Sequence, residues 1–290
     1  MEGRAVAPGA GTIVNALATE RGSAFAIDVE TVATVELTDD GTVSSEIADA
    51  PSADTTLIER TARLAIDRFG ADAGMDVDSI GFRVRTESDV PIASGLKSSS
   101  AAANATVLAT LDALGVTADV DPVDAARLGV EAARDAGVTV TGAFDDASAS
   151  MLGGVTVTDN RSDELLSRET VDWEVCLYTP PERAYSVDVD ADACDSIVSM
   201  AELSTELALD ARYGEAMTVN GFAYCGALEY PTGPLIDALP QADGVSLSGT
   251  GPSYVAIGGP DALDSIETAW GERPGTVRRT KTRTDGATVV

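Results

Sequence analysis

The stretch 91–103, Pro-Ile-Ala-Ser-Gly-Leu-Lys-Ser-Ser-Ser-Ala-Ala-Ala, constrains this chain more than any other. It reads as a turn that becomes a helix. Pro91 follows the strand-like run 80–85 and a polar turn at Ser88 and Asp89. Gly95 tolerates backbone conformations closed to other residues and lets a second group come close. The alanines after Ser100 are strong helix formers. A Gly/Ser loop that opens a helix turns N–H groups outward at the positive end of the helix dipole. Anions bind such a place, phosphate above all. Lys97 puts a positive charge inside the loop and is one of only two lysines, with Lys281. The spacing is not that of a Walker A loop. A plain helix cap reads much the same way over four or five residues, so the rest of the chain has to decide.

The charge balance narrows the partners. Acidic residues number 48 against 19 basic ones, a net charge of -29 over 290 residues. The acids are spread along the chain, and hydrophobic content is 44 %, enough for one large core or two moderate ones. Such a field repels nucleic acid and anionic membranes. It resembles a protein built for concentrated salt, where screening reaches only a few Å. The expectation is a halophilic, cytoplasmic protein that unfolds or loses activity in dilute buffer. No signal peptide or membrane span is legible. There is no histidine, which removes Ser-His-Asp and histidine-metal chemistry. Cys176, Cys194 and Cys225 are odd in number and lack metal-binding spacing, so they read as buried or free thiols.

Along the chain, residues 8–16, 22–28 and 32–37 read as strands, and Asp39-Asp40-Gly41 as a turn giving a hairpin into Thr42 and Val43. Residues 54–69 show helical spacing with Asp54 as cap and Gly70 as stop. The helix after the loop runs to Leu114 and is closed by Gly115. Asp121-Pro122 opens another that ends at Gly137 and carries Glu131 near the edge of its packed side. Then Asp145 and Asp146 lie between small residues, ahead of a short helix-like segment and Gly153-Gly154. Strands are expected at 154–157, 173–179 and 185–189, helices at 192–211, 215–228 and 261–270, and a last strand at 275–282. Residues 245–257 form a strand, a Gly-Thr-Gly-Pro turn through Gly249, Thr250 and Gly251, and a second strand.

Three of these features occur together in one family. Pro-x-x-x-Gly-Leu-x-Ser-Ser-x-Ala at 91–101, the acid pair ahead of Gly-Gly, and Ser-Gly-x-Gly-Pro-Ser at 248–253 resemble, in order, the motifs of the GHMP kinase superfamily. The resemblance implies an α+β fold in two parts. Residues 1–162 would form an N-terminal ATP-binding domain like the second domain of ribosomal protein S5, and residues 163–290 a ferredoxin-like C-terminal domain. It implies ATP and Mg2+. The ATP contacts would be Pro91, Ile92, Ala93, Ser94, Gly95, Leu96, Lys97, Ser98, Ser99, Ser100 and Ala101, joined by Gly249, Thr250 and Gly251. Ser99 and Glu131 would be metal ligands. Asp146 would be the catalytic acid or base, with Asp145 the alternative. Lys97, standing where most of these loops have glycine, would either reach a phosphate or neutralise the loop.

Gly-Leu-Lys-Ser-Ser-Ser and Thr-Gly-Ala-Phe-Asp-Asp-Ala resemble the archaeal shikimate kinase branch. That implies phosphorylation of the 3-hydroxyl of shikimate, with Arg183, Arg278, Arg279 or Arg283 meeting its carboxylate. Homoserine kinase shares the Ser-Gly-x-Gly-Pro ending and stays open as a second enzyme, and a non-catalytic metabolite sensor on the same fold as a different class.

Overall fold

The computed structural model describes residues 1–77, 79–139, 141–182 and 191–290. It opens with two long antiparallel strands, β1 (Glu2–Val14) and β2 (Arg21–Thr38). β2 runs unbroken through the gap expected between its two halves. A register shift at Pro8/Gly9 absorbs the proline, whose missing N–H suits a bulge.

The turn at Asp40 forms, with its carboxylate accepting from Thr42 N–H at 3.0 Å and from the Thr38 and Thr42 hydroxyls at 2.7 Å. The hairpin does not. β3 (Val43–Ile47) pairs in parallel with β4 (Gly81–Ser88), and β4 takes the place beside β2. The reason is burial. β4 brings Phe82, Val84 and Thr86 to the core, whereas β3 has no fully buried residue and fits only an edge.

The helices follow their caps more closely. α1 (Thr56–Phe69) starts where Asp54 accepts from Thr56 N–H at 2.9 Å. Gly70 ends it with φ -64 rather than a left-handed turn; there a β-carbon would meet the Ile66 carbonyl at 2.6 Å. α2 (Ser98–Leu114) ends at left-handed Gly115, and α3 (Pro122–Asp135) begins at Asp121, which accepts from Val123 N–H at 2.8 Å. α4 (Phe144–Leu152) leads into the hairpin β5 (Val155–Asp159) and β6 (Glu164–Glu169).

The second half comprises β7 (Glu174–Thr179), α5 (Val198–Leu209), α6 (Tyr213–Ala227), α7 (Gly233–Ala238), β8 (Gly244–Leu247), β9 (Tyr254–Ile257), α8 (Pro260–Gly271) and β10 (Thr276–Lys281). The helix expected from residue 192 is a 3-10 segment, Ala191–Ile197, before α5 takes over. The strand expected at 185–189 lies outside the described residues. β11 (Thr288–Val289) then returns to pair with β1.

Two sheets result. The first has the order β11-β1-β2-β4-β3, with β5 beside the other end of β2 and β6 beyond it. The second, β10-β7-β9-β8, is the 4-1-3-2 order of a ferredoxin-like unit. The expected 162/163 boundary falls in the turn between β5 and β6. One core lies between the first sheet and α1 to α4, another between the second sheet and α6 to α8. A third joins the halves: Ile13, Phe25 and Ile27 pack with Val175, Val255 and Met217. α2 is buried on nearly every side, which its small residues permit; at Gly3 a β-carbon would sit 2.1 Å from the Ala109 carbonyl. The three cysteines are buried and free. Among the described residues no helix is long and apolar enough to cross a membrane.

Candidate active site

The loop 91–97 is shaped by its backbone. Ala93, Gly95 and Lys97 have φ of 55°, 83° and 66°, so every second residue is left-handed. Alternation of this kind gathers N–H groups into a concave, anion-binding surface. Ser94 Oγ closes the turn on the Pro91 carbonyl at 2.8 Å, and Ala101 N–H donates to the Lys97 carbonyl at 3.0 Å to start α2. Among the described residues no side chain caps that helix, so its first-turn N–H groups stand at the dipole's positive end without a described capping oxygen.

Two other segments hold the loop in place. Ala10 N–H of β1 donates to the Leu96 carbonyl at 3.2 Å. From the turn 248–253, Ser248 Oγ donates to the Gly95 carbonyl at 2.9 Å and Ser253 N–H to the Ser94 carbonyl at 3.1 Å. The approach is so close that a β-carbon on Gly95 would lie 2.1 Å from the Ser248 carbonyl oxygen. The glycine turn is itself tied to the first half. Gly249 N–H donates to Thr12 Oγ1 at 2.7 Å, and Asn15 Nδ2 donates to the Gly249 carbonyl at 2.8 Å. Asn220 and Tyr224 of α6 fix Asn15, through its N–H at 2.8 Å and its carbonyl at 2.8 Å.

The acid pair opens α4 beside this loop. Its two members have different surroundings. Asp145 is buried, exchanging bonds with Asn160: its N–H donates to Asn160 Oδ1 at 3.1 Å, and Asn160 Nδ2 donates to its Oδ1 at 2.8 Å. Gly22 lies against it, and a β-carbon there would fall 2.4 Å from Asp145 Oδ2. Burial, and then the negative Asp146, push the Asp145 carboxyl up to about 7, against the pull of Lys97 and Asn160.

Asp146 faces the loop. Its Oδ1 lies 2.9 Å from Lys97 Nζ, and the two side chains are only 16 % and 7 % exposed. That oxygen is buried and accepts no well-directed hydrogen bond, because the ammonium approaches it off the bonding direction. Lys97 Nζ also lies against the glycine turn, 2.6 Å from where a β-carbon on Gly249 would be. The ammonium therefore stands where all three motifs meet.

Other expected residues lie elsewhere or carry other contacts. Ser99 is exposed on the first turn of α2. Glu131 is turned to α1, where Arg68 Nη2 donates to it at 2.9 Å, and no described interaction joins it to Lys97, Ser99 or Asp146. Arg183 lies outside the described residues. Arg279 pairs with Asp264, Glu174 and Glu267, and Arg283 with Glu30. Arg278 is exposed and, among the described residues, donates to the Asp89 carbonyl at 3.4 Å. The sequence reading missed Thr12, Asn15, Gly22 and Asn160. Asn160 looks like an ordinary turn residue, and only its distant partner distinguishes it.

An arrangement of this kind can hold a polyphosphate on backbone N–H groups and set a carboxylate beside its end. The comparisons with known proteins agree. The model of the GHMP kinase N-terminal domain matches residues 56–154. The chain is 61 % identical over 288 residues to a shikimate kinase of Halobacterium salinarum, covering 99 % of both. It is 47 % identical over 291 residues to a shikimate kinase of Methanococcoides burtonii, covering 99 % of this chain and 98 % of the other. In fold it resembles a homoserine kinase from Cytophaga hutchinsonii, with a TM-score of 0.75 at 18 % identity over 100 % of this chain and 97 % of that one.

Proposed function

The chain belongs to the GHMP kinases, and from that premise we propose that it transfers the γ-phosphoryl group of ATP to the 3-hydroxyl of shikimate. The observation that carries the substrate is the 61 % identity, along essentially the whole chain, to a protein named shikimate kinase. The product, shikimate 3-phosphate, feeds the formation of chorismate and the aromatic amino acids.

In this reading the loop 91–101 and the first turn of α2 receive the phosphates, with Gly249, Thr250 and Gly251 at their flank. Asp146 orients the acceptor hydroxyl and takes its proton as the oxygen attacks the γ-phosphorus. The new O–P bond forms as the bond from that phosphorus to the bridging oxygen breaks, and its electron pair leaves on ADP. Asp145 is the weaker choice for this step, since Asn160 and Gly22 enclose it. Magnesium fits the site through Ser99, whose hydroxyl is exposed at the helix start. Among the described residues no three acidic or cysteine side chains cluster, so a metal would come with the nucleotide and keep several waters. Held there, the metal would supply charge neutralisation at the phosphate oxygens. Glu131, held by Arg68, has no part in this reading. Among the described arginines proposed for the substrate carboxylate, Arg278 alone has no ion pair with a described acidic residue, which suits that task.

An assay of ADP release in concentrated salt, with shikimate, homoserine and mevalonate offered in turn, tests the assignment. Turnover with shikimate is expected. Turnover with homoserine alone, or shikimate binding with no ADP released, would overturn it.

A further inference from the structure

Resting on that reading, we infer that Lys97 is a positioning residue for Asp146: its ammonium holds this carboxylate, rather than Asp145, in place for the acceptor hydroxyl.

Three observations carry this. The first is backbone strain. Lys97 has φ 66°, a conformation that glycine adopts freely and that costs other residues about 1–3 kcal/mol. Of the left-handed loop positions 93, 95 and 97, this is the one that carries a charged side chain. The second is where the charge goes. The ammonium is 7 % exposed and stands 2.9 Å from Asp146, also mostly buried. Desolvation makes such a pair a poor stabilising device, so fold stability does not explain it. The third is direction. Asp146 Oδ1 lies 2.9 Å from the ammonium yet accepts no aligned hydrogen bond, so the charge of Lys97 is what holds this oxygen in place.

The neighbouring charges complete the account. Asp145 and Asp146 are adjacent carboxyls with Lys97 as the cation that acts on Asp145 among the described residues, and Tyr224 of α6 lies within electrostatic reach of Asp145. Two carboxylates with one ammonium are one negative charge too many for a buried place, so one of them keeps a proton near neutrality. Asp145 is the buried one, pushed up to about 7, and Lys97 touches the other. Lysine suits this role, as a compact point charge on a flexible stem.

A double-mutant cycle tests the inference, with the wild type, Lys97→Gly, Asp146→Asn and the double variant. Glycine relieves the strain at 97, and the double variant carries neither an unpaired ammonium nor an unpaired carboxylate, so it keeps the fold. Lys97→Gly is expected to lower kcat by ~100-fold or more. Its nucleotide affinity, measured by calorimetric titration with ADP, should change by less than ~10-fold. The acid limb of its kcat profile should move to higher pH, because the remaining acid pair has lost its cation. In the Asp146→Asn background the same change should lower kcat by less than ~3-fold, because coupled residues are not additive. Equal, additive losses in both backgrounds with an unmoved acid limb would overturn the inference and leave Lys97 as a phosphate contact only. A wild-type chain that turns over none of the acceptors would sink the kinase reading itself, and the inference with it.

Discussion

The same 2.9 Å separates Lys97 from Asp146 and Arg83 from Glu36. In the first pair the side chains are 7 % and 16 % exposed; in the second, 53 % and 47 %. Arg83 and Glu36 face each other across β2 and β4 in open water, where solvent screens the attraction. Lys97 and Asp146 lie under the glycine turn with a second carboxyl alongside. Distance alone therefore says little about what an ion pair does. Surroundings decide whether it is a solvated surface contact, of which this acidic chain has many, or, as proposed for Lys97, a device that positions a reacting group.

Breaking the buried side should have the largest effect. Asp146→Asn is expected to lower kcat by ~100- to 10,000-fold with the fold retained, read from ADP release and circular dichroism. An undiminished rate would remove Asp146 from the reaction. Gly95→Ala comes next. Its φ of 83° and the 2.1 Å approach to the Ser248 carbonyl leave no space for a methyl group. A loss of ~2 kcal/mol or more in denaturant unfolding, with a ~100-fold fall in kcat, is expected.

Asp145→Asn sharpens the comparison through pH. The carboxyl is raised from 3.8 to about 7 in the folded chain. Its contribution to stability is therefore fully present below about pH 4 and is lost as pH rises toward 7. The asparagine variant should lose less melting temperature between pH 4 and 8 than the wild type does. Identical slopes would mean that Asp145 titrates as an ordinary surface acid. The smallest effect belongs to the exposed pair: Arg83→Ala should leave the melting temperature within ~2 °C.

What the sequence made legible follows the range of the forces involved. The turn at 91–97 and the limits of α2 and α3 depend on local chemistry, on Gly95, Gly115 and the Asp121-Pro122 cap, and all could be read directly. The place of β3 could not. Its turn is local, but its neighbour is set by competition with β4 for the apolar position beside β2. The site divides in the same way. Lys97 and the acid pair stood out as residue types, whereas their pairing across 49 positions (97 to 146) is visible only in three dimensions. Asn160 and Gly22 carry no local signal, since a turn asparagine and a strand glycine are common. Glu131 fitted the expected helix edge, but the nearest cation on α1 claims it.

The glycine turn of the second half grips the loop of the first through Ser248 and Ser253, while Thr12 and Asn15 hold it from β1. A hinge that swung the halves apart would tear all four bonds and the shared core beneath them. On the proposed reading, nucleotide therefore enters and leaves a cradle whose two sides stay joined.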